Sequence, residues 1–126
     1  TALDHTTDLV LVSSLDVPSV RGLKKELDIL EELDLPPMTT TIVINMADPA
    51  GGVSVRDVEA TIDREVDVVI PRSGRMLLST NQGTPAIVSA PRDRTSKELQ
   101  RLVARFSPIA TRGGRWNGRH RGRVPR

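Results

Sequence analysis

Two short apolar runs flanking one amphipathic stretch constrain this chain more than any other feature. Residues 9–13 read Leu-Val-Leu-Val-Ser, and residues 40–45 read Thr-Thr-Ile-Val-Ile-Asn. Continuous β-branched runs of this length predict strands buried on both faces, as in a parallel sheet. Between them, Val20, Leu23, Leu27, Leu30 and Leu33 recur at spacings of three and four. That spacing lays one apolar stripe along a helix from about Pro18 to Leu33. Pro18 suits the first turn, where its missing N–H costs little. Arg21, Lys24, Lys25, Asp28, Glu31 and Glu32 form the wet face, with Lys24 and Asp28 an i,i+4 pair. Leu35-Pro36-Pro37 ends the helix. Strand, helix and strand over about 30 residues is the length of a βαβ unit, whose two strands run parallel.

The remaining pieces extend the same pattern. Asp48-Pro49-Ala50-Gly51-Gly52 reads as a turn, and Ser54 with Asp57 three residues on makes a capping-box-like start. A short helix over 55–62 follows, then a third strand over 66–70, closed by Pro71. Residues 72–85 are less regular, with one helical turn expected around Met76–Thr80 and an extended segment at Ala86-Ile87-Val88. Asp93 or Thr95 caps a last helix to about Phe106, with Leu99, Leu102, Val103 and Phe106 as its stripe. Three mostly parallel strands have two open edges and one uncovered face, which reads as half of a larger doubly wound sheet.

Charge divides the chain in two. Residues 1–111 hold 12 Lys/Arg against 16 Asp/Glu, a net of −4, whereas residues 112–126 hold six Arg and no acid. The basic balance therefore belongs to the Gly/Arg-rich end. We read 1–107 as the folded portion and 108–126 as a disordered tail. With its arginines and Trp116 that tail can bind nucleic acid (RNA) non-specifically or membrane phosphates, or can be unselected sequence. No cysteine is present, which excludes disulfides and thiolate metal sites. No apolar run approaches the roughly 18 residues of a membrane span, and no secretory signal opens the chain. Cytoplasmic residence is the expectation, and Thr1 in place of Met suggests a fragment or a processed chain.

In open α/β sheets, ligands bind outside the carboxyl ends of the strands. Three segments qualify: Ser13-Ser14-Leu15-Asp16, Asn45-Met46-Ala47-Asp48 and Pro71-Arg72-Ser73. A carboxamide at Asn45 has a donor and an acceptor, so it matches a purine edge; the alternative is that Asn45 and Asp48 only shape the turn. Asp16 is either a ligand for metal or phosphate or, more simply, the cap of the helix at Pro18. Arg72 and Arg75 can hold an anion or stand as solvated surface. His5 and His120 lie far apart without a carboxylate pattern. Gly51-Gly52 lacks a following Lys, so it is no phosphate loop, and none occurs elsewhere in the 126 residues.

The order of these pieces resembles MinD/ParA-type ATPases. Thr1-Ala-Leu-Asp4 to Ser13, then Leu15-Asp-Val-Pro-Ser-Val-Arg-Gly-Leu23, is similar to the segment after switch II in that family. Val43-Ile-Asn45-Met46-Ala-Asp48 resembles the next strand end, which in the family reads Asn-Arg or Thr-Met-x-Asp. Ile70-Pro71-Arg72, Arg75-Met-Leu77 and Asn81-Gln-Gly83-Thr-Pro85 resemble the Ile-Pro-Arg…Gly-x-Pro stretch that follows, and Lys97–Phe106 the last helix. The resemblance spans about residues 1–107 and is specific through order and spacing, not through one motif. Its nearest flavour is the actinobacterial or pilus-assembly (CpaE/TadZ-like) branch.

The resemblance implies an α/β fold with a partial doubly wound, mostly parallel sheet: the C-terminal half of a P-loop NTPase. It implies ATP as ligand, with Asn45 at the adenine edge and the backbone around Pro71 lining the base pocket. Met46, Asp48 and Arg72 stand beside them; Met46 replaces an Arg found in many MinD-like members. Mg²⁺ would enter only through the missing N-terminal half, so this chain alone is expected to be inactive. A homodimer, or a secretion or positioning ATPase as partner, is implied, with septum placement, partition or pilus localisation as the role. The family's membrane-targeting helix is not matched by the tail. Two rivals remain at this level: a non-catalytic interaction module binding a partner ATPase, and a GTP-binding domain suggested by Asn45-x-x-Asp48.

Overall fold

A computed structural model describes residues 2–36 and 38–107. The tail read as disordered therefore lies outside the described residues. A short 3-10 turn at Ala2–His5 leads into strand β1, Asp8–Ser14, and helix α1, Val17–Glu32. Asp16 starts that helix as its N-cap, accepting from the Ser19 backbone N–H and hydroxyl, each at 2.9 Å. Strand β2, Thr39–Ala47, follows, then a 3-10 turn at Pro49–Gly51 and helix α2, Val55–Ile62. Ser54 and Asp57 form the reciprocal capping box at the start of α2. Strand β3 is Val68–Pro71, followed by α3, Gly74–Gln82, α4, Ala86–Ser89, and α5, Arg94–Phe106.

The three strands lie in the order β1-β2-β3 and both pairings are parallel. The strand–helix–strand spacing dictates this, because a chain that crosses back over a helix re-enters the sheet in its original direction. β2 is the centre: Ile42, Val43 and Ile44 are 2%, 1% and 0% exposed. Ile42 and Ile44 pack with Val20, Leu23 and Leu27 of α1 and Val58 and Ile62 of α2. Val43 turns to the opposite face, where Val68 and Ile70 meet Leu99 and Leu102 of α5. Asp67 fixes the start of β3 by accepting from the Ile42 N–H at 2.7 Å, and its other oxygen pairs with Arg105 of α5 at 3.2 Å.

Two expectations are corrected and a third is extended. β1 is not buried on both faces: Val10 and Val12 are 38% and 60% exposed. They share a sheet face with Val43, since Val10 pairs with Thr41 and Val12 with Val43. α5, however, is seated on β3. The cover thus stops short of the edge strand, and the partial sheet is open along β1. Ala86-Ile87-Val88 is helical rather than extended, because the Ala86 carbonyl accepts from the Ala90 N–H at 2.8 Å and from the Ser96 hydroxyl at 3.0 Å. The expected turn at Met76–Thr80 is a nine-residue helix, capped by Ser73 and ended at Gly83 in the left-handed region. Gly83 tolerates that backbone because it has no Cβ.

Candidate functional site

The carboxyl ends of β2 and β3 bring the sequence-predicted residues together in part. β2 carries one residue more than β3 over this stretch: Ile44 pairs with Val69, but Ala47 pairs with Pro71. The extra residue is a bulge, and Met46 stands in it with φ 51°. A side chain rarely adopts that region without compensation. Here Asn45 compensates, its Oδ1 accepting from the Met46 N–H at 2.9 Å. Met46 is turned outward and is 61% exposed.

The bulge divides the site. Past it, the Arg72 N–H donates to the Ala47 carbonyl at 3.0 Å. The Arg72 guanidinium lies 3.7 Å from Asp48, whose other oxygen accepts from the Ala50 N–H at 3.0 Å. Asp48, Pro71 and Arg72 are therefore neighbours. Asn45 lies on the β1 side and lines a cleft of about 330 Å³ with Ser13, Ser14, Ser19 and Glu26. Arg75 stands 3.9 Å from Asp93, at the foot of α5. Among the described residues no group of His, Asp and Glu could hold a metal ion. No helix among them is long and apolar enough to cross a membrane.

A cleft of about 400 Å³ opens at the same end of the sheet, walled by Leu15, Ala47, Val53, Val69 and Pro71 and bordered by Arg94. Its walls come from β2, β3 and the loops before α1 and α2, so no single sequence motif marks it. Arg94 is the residue that sequence reasoning missed. The available signal was its place directly after the Asp93 cap.

Neither a family model nor a curated sequence matches this chain. Solved structures do. A ParA-family ATPase from Chlorobium tepidum superposes with TM-score 0.69 at 25% identity, over 79% of this chain and 43% of its own. MinD from Aquifex aeolicus superposes with TM-score 0.69 at 22% identity, over 83% of this chain and 45% of its own. MinD from Pyrococcus horikoshii, solved in complex with Mg-ADP, gives TM-score 0.68 at 16% identity over 82% of this chain and 42% of its own. This chain has part of the MinD/ParA ATPase fold. It spans less than half the length of these MinD/ParA structures. The expected α/β architecture with a partial, parallel sheet is what the structure contains.

Proposed function

We propose that this chain supplies the base-binding side of a MinD/ParA-like ATP site. The supporting observation is the apolar cleft at the carboxyl ends of three parallel strands whose fold matches part of that family. In this reading the adenine ring lies above the ends of β2 and β3 against Ala47 and Pro71, and Asn45, which lines the neighbouring cleft on the β1 side, meets its polar edge from across the bulge. One lone pair of the Asn45 oxygen already serves Met46. The second lone pair and both amide hydrogens remain for the base. Asp48 and Arg72 hold the turn that frames the cleft. The phosphates and Mg²⁺ require a Gly-rich Lys loop, which these 126 residues do not contain. The chain by itself therefore hydrolyses nothing. Joined to a phosphate-loop half, it works as a cytoplasmic, dimeric ATPase in spatial positioning, by septum placement, partition or pilus localisation.

The test is titration of Asn45→Ala and Asp48→Ala with ATP and GTP in a protein where the phosphate-loop half is present. Asn45→Ala weakens ATP binding by about 1–3 kcal/mol, because polar edges of the bound base lose a partner. Asp48→Ala matters less. Tight GTP binding lost specifically in Asp48→Ala would overturn the adenine assignment, since a carboxylate there would pair with guanine. The open β1 edge gives one observation in favour of a second reading, a module that docks on a partner ATPase. Phosphate release by the chain alone, lost in Asn45→Ala, would contradict both.

A further inference from the structure

The cleft proposed for the base has one charged residue on its lining among the described residues, Arg94. Arg94 is the first residue of α5. A cation there faces the positive end of the helix dipole, an unfavourable place for it. The first turn of α5 holds no acidic residue, and the Asp93 cap is engaged by the Thr95 N–H at 3.0 Å and by Arg75 at 3.9 Å. Arg94 itself has no hydrogen-bond or ion-pair partner through its side chain among the described residues, whereas Arg72 and Arg75 face Asp48 and Asp93.

Its backbone is nevertheless fixed. The next two residues, Thr95 and Ser96, are 1% and 0% exposed. Thr95 donates to the Pro71 carbonyl at 3.4 Å and Ser96 to the Ala86 carbonyl at 3.0 Å. A mobile surface arginine needs no such footing. Here two buried hydroxyls hold the root of the side chain beside Pro71, which is itself a wall of the cleft.

We propose that Arg94 is a base-stacking residue, its planar guanidinium closing over the face of a purine held against the apolar wall of Ala47, Val53 and Pro71. This rests on the base-site reading above and adds a residue to it. A guanidinium is planar and weakly hydrated, so it lies flat on an aromatic ring and keeps its N–H groups in water at the rim. The purine face offers the attractive surface that the apolar walls cannot, which offsets the poor position at the helix start.

The experiment uses the 126-residue chain and its Arg94→Gln variant, with adenosine and ATP as probes, read by amide chemical-shift titration. Probe concentrations reach about 10 mM, tenfold above a millimolar site. In the wild type both ligands shift the amides of Ala47, Val53 and Arg72. Arg94→Gln weakens adenosine and ATP alike, about two- to fivefold, the range of an exposed cation–ring contact. Amides remote from the cleft keep their positions, which shows that the variant is folded. Equal affinity in both proteins overturns the stacking role and leaves the base site standing. A loss for ATP with none for adenosine also overturns it, because the arginine would then act on phosphate charge. Absence of any cleft shift in the wild type removes the base-site reading and this inference with it.

Discussion

Val12 and Val43 form a matched pair for testing whether the sheet is partial. They are the same residue type, on adjacent strands, directly opposite each other and on the same face. Only their cover differs: Val43 is 1% exposed and Val12 60%. Val→Ala removes two methylene equivalents, worth about 1.6 kcal/mol of transfer when fully buried. At Val43 a cavity between β2 and α5 adds to this, so Val43→Ala costs about 2–3 kcal/mol. At Val12 only two-fifths of the residue is covered and no cavity forms, so Val12→Ala costs about 0.6 kcal/mol. Urea unfolding followed by circular dichroism reads both, with a slope of about 1–2 kcal/mol/M for a domain this size. The midpoint falls by about 1–3 M for Val43→Ala and by about 0.3–0.6 M for Val12→Ala. Equal losses in a monomeric chain would refute the reasoning: the face above β1 would be covered, and the sheet would not be a part awaiting the rest.

Other outcomes follow from local geometry. Ser54→Ala removes the hydroxyl that serves Asp57 and lowers stability by about 1 kcal/mol, a melting-point drop of about 5 °C by calorimetry. The Ser54 hydroxyl and backbone N–H hold the Asp57 carboxyl below its usual range. The folded value lies below the unfolded one, so this contribution is present above about pH 4 and is lost as pH falls through the folded value. An acid titration of stability should be flatter in Ser54→Ala; an identical acid limb would contradict the link. Met46→Gly relieves the left-handed backbone of the bulge and loses little packing from an exposed side chain. It should raise stability by up to about 1 kcal/mol in the same urea assay, and a clear loss would show that Met46 is held by contacts.

The sequence by itself determined the three strands, α1, α2 and α5, and their order. Strand–helix–strand spacing required parallel pairing, the Val20–Leu23–Leu27 stripe required α1 to cover the sheet, Asp16 and Ser54 announced the helix starts they cap, and of the two candidates for α5, Asp93 and Thr95, Asp93 is the cap. These are local effects, set by periodicity and by side chains that reach a backbone N–H two or three residues on. Three things were decided only by the tertiary structure. The burial of β1 depends on where α5 sits, and a continuous apolar run reads the same on a covered strand and on an open one. The helix at 86–89 carries, beyond the backbone bonds of its own turn, a bond from the Ser96 hydroxyl ten residues on to the Ala86 carbonyl. The division of Asn45 from Asp48 comes from a one-residue bulge, which exists only relative to the neighbouring strand β3. Arg94 and Pro71 meet for the same kind of reason. They are 23 positions apart, and only the packing of α5 against the end of β3 puts a guanidinium on the border of an apolar cleft.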